Sequence, residues 1–120
     1  MVAVSRGDVV RVRLDPTVGS ELQKTRPCVV VQRDAANRVQ RTTIVCPLTA
    51  AAGKAPSAIR IFIPAGSGGT TKDSLAVCSQ VRVVGFERIV DHIGRLPSDV
   101  MDRLSAGLRM ILDLDPIGSA

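Results

Sequence analysis

A mainly β fold, a small barrel or curled sheet followed by one C-terminal helix, is what this sequence predicts, on three observations. Short apolar stretches recur from Asp8 to about Val90, several of them alternating with polar residues and each bounded by turn signals. The period changes once: from Asp99 onward Val100, Leu104, Leu108, Ile111 and Leu112 return at spacings of three and four. The chain has 120 residues, the size of one ordinary domain, so residues 1–120 are expected to form a single unit. At that length folding buries roughly two-thirds of the unfolded surface, and 45% hydrophobic content can fill a core without disulfides or metal.

The first strand is read over Asp8 to Leu14, where Val10, Val12 and Leu14 alternate with Arg11 and Arg13. Asp15-Pro16-Thr17 stops it, and the stretch to Lys24 reads as a loop. Cys28 to Gln32 is apolar on both faces and so reads as a central strand, with Pro27 at its first position, where a missing N–H costs little. Asp34 to Arg41 is polar, carries the turn residue Asn37 and is expected to be a turn. Thr42 to Leu48 is a third strand, broken by Pro47 near its end. Ala50 to Ser57 is a loop of small residues, and Ile59 to Ile63 a fourth strand. Gly66-Ser67-Gly68-Gly69 reads as flexible. Leu75 to Cys78, Val81 to Val84 and Arg88 to Val90 give further short strands. Ser98, after Pro97, is expected to cap the helix, with Asp99 and Asp102 near its positive end and Gly107 a weak point that close packing would explain.

Composition narrows the function. Sixteen Lys and Arg against eleven Asp and Glu give a net charge of +5, which favours polyanionic partners. There is no Trp or Tyr, and Phe62 and Phe86 are the only aromatics, so base stacking on aromatic platforms cannot be the main device of recognition. Arginine planes, hydrogen bonds and phosphate contacts have to carry it. Cys28, Cys46 and Cys78 lie far apart in apolar company, without C-x-x-C spacing, and read as buried structural residues. No apolar run is long enough to span a membrane, and Met1–Arg6 turns polar too early for a signal peptide; a cytoplasmic protein is expected.

Conventional catalytic sets are missing from the sequence. The acids are scattered singly rather than grouped to hold cations, and Asp113-Leu114-Asp115 falls at the helix end, so neither metal nor other cofactor is expected. His92, the one histidine, stands in a polar stretch and reads as a surface residue. The glycines at 66–69 lack the spacing and the Lys-Ser/Thr of a phosphate loop. A cluster at strand ends remains: Asp15 to Glu21 precedes Arg26-Pro27, and Pro47-Leu48-Thr49 closes the third strand. If the second and third strands are neighbours, Arg26 and Thr49 approach one another. Two readings of that pair stand: a strand-start salt bridge with a turn hydrogen bond, or a site.

Several segments resemble a known family. G-D-V-V (Gly7 to Val10), D-P-T-V-G-S-E (Asp15 to Glu21), R-P-C-V-V-V-Q (Arg26 to Gln32), P-L-T (Pro47 to Thr49) and D-S-L-A-V-C-S-Q-V-R (Asp73 to Arg82) look like the MazF/PemK toxins, in order and spacing, from Arg6 to about Leu114. The resemblance implies an SH3-like small barrel of the CcdB/MazF kind and a homodimer. It implies a toxin of a type II toxin–antitoxin system that cuts single-stranded RNA at short sequences without metal. The RNA's own 2′-OH would attack, leaving a 2′,3′-cyclic phosphate and a 5′-OH, and a cognate MazE-like antitoxin would block the groove.

By the same resemblance the catalytic Arg and Thr fall on Arg26 and Thr49; Gly19, Ser20 and Glu21 flank the site, and Gln80 and Arg82 stand near bound RNA. A guanidinium fork suits the oxygens of a five-coordinate phosphate, and arginine stays protonated, which makes Arg26 a stabiliser or proton donor rather than a base. For Glu21 two roles stand, base or orienter of Arg26. The chain departs from many relatives at Ser79, where an acid usually precedes the glutamine, and this bears on the target sequence. The competing expectation is a CcdB-like toxin of the same fold that acts on DNA gyrase and cuts no RNA.

Overall fold

The computed structural model describes residues 3–114; Met1, Val2 and Asp115, which the readings of the N-terminus and helix end touch, lie outside the described residues. Seven strands run β1 (Asp8–Arg13), β2 (Thr25–Val30), β3 (Thr42–Ala50), β4 (Arg60–Ile63), β5 (Ser74–Val77), β6 (Arg82–Gly85) and β7 (Ile89–Arg95). A short helix α1 (Asp34–Asn37) joins β2 to β3, and α2 (Ser98–Ile111) follows β7. The strands lie in the order β4-β5-β3-β2-β1-β7, with β6 also on β3, and every pairing is antiparallel.

Alternation builds two cores from one strand. In β1, Val10 and Val12 enter one apolar cluster with Leu14, Cys28, Val30, Val45 and Val84, while Val9 enters another with Val29, Cys46, Leu48, Ile61 and Ile63. Arg11 and Arg13 point to solvent. Helix α2 covers the second cluster with Val100 and Leu104, and Leu108 packs against it. Ile111 and Leu112, expected on the same apolar face, are exposed, and Leu112 lies past the helix's last residue. Gly107 is the close-packing point: a Cβ there would stand 2.8 Å from the Ala58 carbonyl oxygen and 2.8 Å from Cys78 Sγ. All three cysteines are free and buried.

Five expectations are corrected. Pro27 is the third residue of β2, not its first, yet it precedes the first pair with β3, Cys28 with Pro47. Pro47 lies inside β3 rather than ending it, between the residues that pair with β6 (Thr42–Val45) and those that pair with β5 (Leu48–Ala50), where β3 exchanges one neighbour for another. Asp34 to Arg41 contains α1 because Asn37 is a buried hub: its Oδ1 accepts from Gln32 Nε2 (2.8 Å) and Thr43 Oγ1 (2.7 Å). Ser98 is the first residue of α2, not its cap, a place Pro97 takes without any side-chain hydrogen bond.

The glycines at 66–69 are packed rather than loose. Ser67–Gly69 forms a 3-10 turn against β7; a Cβ on Gly94 would meet the Gly68 carbonyl oxygen at 2.4 Å, and one on Gly69 (φ +79°) the Ile93 oxygen at 2.5 Å. Two backbones touch there, which only glycine permits, and the contact curls the β7 edge toward the chain that follows β4.

Candidate active site

The register of β2 and β3 decides where the strand-end cluster goes. Cys28 faces Pro47, so continuing the ladder outward sets Arg26 opposite Thr49. Both are half-buried and line one cavity of about 310 Å³, together with Lys24, Thr70, Lys72 and Ser74. The pairing of Val12 with Arg26 on the other side of β2 holds the arginine's backbone in the sheet interior. Arg26 Nε donates to the Gln23 carbonyl at 2.9 Å, which aims the planar group, and among the described residues its two Nη groups make no hydrogen bond. A guanidinium anchored at Nε and open at both Nη presents a fork to a dianionic ligand.

Thr49 stands on the wall between two cavities. Its Oγ1 accepts a hydrogen bond from Lys54 Nζ at 3.0 Å, leaving the hydroxyl proton free to be given elsewhere. The second cavity, about 210 Å³, is lined by Thr49 and Lys54 with Ser20, Leu22, Arg60 and Gln80. Gln80 Oε1 accepts from Leu22 N–H at 3.2 Å and so ties the β1–β2 loop to the 3-10 turn at Cys78–Gln80. Ser79, exposed beside it, lines the same cavity where an acid would have stood.

The remaining residues singled out from sequence line neither cavity. Arg82 Nη1 donates to the Leu14 carbonyl at 3.2 Å, which commits that guanidinium to the end of β1. Glu21 is exposed, and its Oε1 accepts from Val18 N–H at 3.2 Å, closing the turn that carries Ser20. Gly19 takes a left-handed φ of +61° in the same turn, with open space around it. His92 lies on β7, 3.4 Å from Asp8 Oδ1, in register with Val10 and outside both cavities.

Sequence reasoning missed the lysines. Lys24, Lys54 and Lys72 each come from a loop, and the only signal was Lys54's place five residues after Thr49 in a loop of small side chains. Beneath Arg26, burial pushes the Cys28 thiol up to about 12, outweighing the Arg82 and Arg26 charges that pull it down. It is a neutral packing group at physiological pH and no nucleophile. Among the described residues no three His, Cys, Asp or Glu side chains gather as metal ligands. The arrangement offers fixed cations and hydrogen-bond donors to an anionic centre, the means of stabilising charge that develops on phosphorus.

Comparison with known proteins gives the family and the fold. The family model described as PemK-like, MazF-like toxin of type II toxin–antitoxin system matches residues 5–112. Endoribonuclease EndoA of Bacillus subtilis is 37% identical over 111 residues, 92% of this chain and 96% of the relative. Crystalline MazF from Deinococcus radiodurans superposes with a TM-score of 0.80 at 23% identity, over 94% of this chain and 99% of the other. A mycobacterial endoribonuclease solved in complex with its cognate antitoxin gives 0.73 at 18% identity, over 95% and 99%.

Proposed function

Because this chain belongs to the family of PemK-like, MazF-like toxins of type II toxin–antitoxin systems, we propose that it is a metal-independent endoribonuclease whose cleavage centre is Arg26 with Thr49. The observation that carries the reading is the shared cavity: the two side chains line one opening, with Lys24 and Lys72 beside them.

In the proposed reaction the 2′-OH oxygen of single-stranded RNA attacks the adjacent phosphorus. The new P–O2′ bond forms as the P–O5′ bond breaks, and the products are a 2′,3′-cyclic phosphate and a 5′-OH. Negative charge on the non-bridging oxygens peaks at the five-coordinate stage. Arg26 meets two of those oxygens with its Nη groups, and the Thr49 hydroxyl donates a hydrogen bond to an oxygen while accepting one from Lys54. The Lys54 ammonium polarises that hydroxyl and strengthens it as a donor. In this reading protonated Arg26 also serves as the proton donor to the departing 5′-oxygen. To serve as the base for the 2′-OH, Glu21 has to release Val18 N–H, a rotation its exposure allows. Ser20 and Gln80, at the second cavity, are assigned to the RNA strand next to the break, with Gly19 and Arg82 holding the loop and strand end around them.

The partners follow from the same reading: a cognate antitoxin, of the kind with which structural relatives have been solved in complex, assigned here to the groove, and a second copy in a homodimer. Ile44 and Val83, cross-strand partners on β3 and β6 and both exposed, supply apolar ground for the latter. The substrate sets the compartment as cytoplasm.

Primer extension on a mixed RNA in EDTA tests the proposal, because it reports cleavage and target together. The wild type is expected to cut at a short sequence. Arg26→Ala is expected to lose at least about 10²-fold in rate while keeping its circular dichroism. Activity abolished by chelation, or toxicity retained in Arg26→Ala with cellular RNA intact, would overturn it; the second outcome favours a gyrase-directed poison.

A further inference from the structure

Beside the cleavage cavity lies a larger and more apolar one, about 820 Å³, that the reaction just described does not use. It is lined by Ala50 to Ala52, Pro56 and Phe62. It shares Ala50, Thr71 and Lys72 with the cavity that holds Arg26 and Thr49, so the two are continuous. Lys54 and Lys72 stand on its rim, both exposed. The one carboxylate there, Asp73, turns back on the protein, its Oδ1 accepting from Ala65 N–H at 2.8 Å.

The two aromatic residues of this chain have different fates. Phe86 packs against the apolar cluster that holds Val10, Val12 and Leu14, while Phe62 alternates with the buried Ile61 and Ile63 and faces the cavity. Phe62 is half-buried and lines the cavity together with alanines and a proline. The ammonium groups of Lys54 and Lys72 line the same cavity and suit the phosphates of a nucleic-acid strand. Stacking on an aromatic ring accepts any base face.

We propose that this cavity is a base-binding subsite, in which Phe62 stacks one nucleobase flanking the scissile phosphate while Lys54 and Lys72 hold the strand across the rim. The inference rests on the ribonuclease reading and adds a residue that selects or anchors substrate. Continuity with the Arg26 cavity favours the RNA strand itself over a protein segment.

The test uses a fluorescein-labelled RNA spanning the cleavage sequence mapped by primer extension. A 2′-deoxy residue at the break prevents cutting, and an abasic ribose replaces each other nucleotide in turn. Anisotropy titrations follow the whole protein. In the wild type, one abasic position is expected to weaken binding roughly 5- to 150-fold. In Phe62→Ala, and in Phe62→Leu, which keeps the apolar bulk, that position should no longer matter, while Arg26→Ala should retain the full penalty. An equal penalty in the wild type and both Phe62 variants overturns the subsite and leaves the cleavage centre standing. A wild type that neither cuts nor binds RNA overturns the ribonuclease reading and the subsite together.

Discussion

At the scale of single residues, the site works by donors rather than by a titrating pair. Thr49 accepts from Lys54 and has one proton to give. Thr49→Ala is therefore expected to slow single-turnover cleavage about 10²-fold, the cost of one donor to a developing oxyanion. Thr49→Ser, which keeps the hydroxyl, should recover most of that rate; equal loss in both variants would assign Thr49 to packing. Cys28 makes a prediction of a different kind. Its thiol is held neutral up to about 12, against an ordinary 9.0, because burial disfavours the thiolate. The unfolded chain ionises from pH 9.0 upward and the folded one does not. The stability this represents is whole below 9.0 and is lost as pH climbs toward 12. Cys46, beside Cys78 and buried, is also raised, but the same contact lowers Cys78, so the slope is assigned to Cys28. The urea midpoint should fall over that window, and Cys28→Ala should start lower but fall less steeply.

Elements tell how much the local pattern could carry. β1 was legible because from Val10 on its sides differ, Arg11 and Arg13 standing out from Val10 and Val12. β7 was read as three residues yet runs for seven. It is an edge strand, hydrogen-bonded to β1 alone, and Asp91, His92 and Gly94 obscure any apolar alternation. α1 was invisible because four residues carry no period; the Asn37 hydrogen bonds hold it. In α2, Gly107 is the informative position. Alanine there gains about 1 kcal/mol of helix propensity. The new Cβ meets the Ala58 carbonyl and Cys78 sulfur at 2.8 Å, and overpacking of this kind costs about 1–3 kcal/mol. Gly107→Ala is thus expected to lower the thermal unfolding midpoint. A higher midpoint would mean that α2 can shift away from the sheet at little cost.

For the molecule as a whole, charge links the sequence to the proposed substrate. The net charge of +5 is modest, but the fold collects Lys24, Arg26, Lys54 and Lys72 around two continuous cavities. If each of these four meets one phosphate, the logarithm of affinity for single-stranded RNA should fall with the logarithm of salt at a slope of about −3. Titrations over a range of potassium chloride, with the non-cleavable probe, measure it directly. A slope near zero would show that these cations do not touch the backbone.

The sequence by itself determined the β-rich architecture, the closing helix, the buried cysteines and the segments that mark the family, because alternation and ordered motifs are properties of the chain in one dimension. Of the site, it named Arg26 and Thr49 but could not join them. Twenty-two residues of chain lie between the two, and only the antiparallel register of β2 on β3 sets them face to face. Tertiary structure likewise decided that Glu21 and Arg82 are engaged by Val18 and Leu14, and that loop lysines and Phe62 gather beside the centre. Those placements depend on which strands become neighbours and where loops fold back, and no local periodicity encodes that.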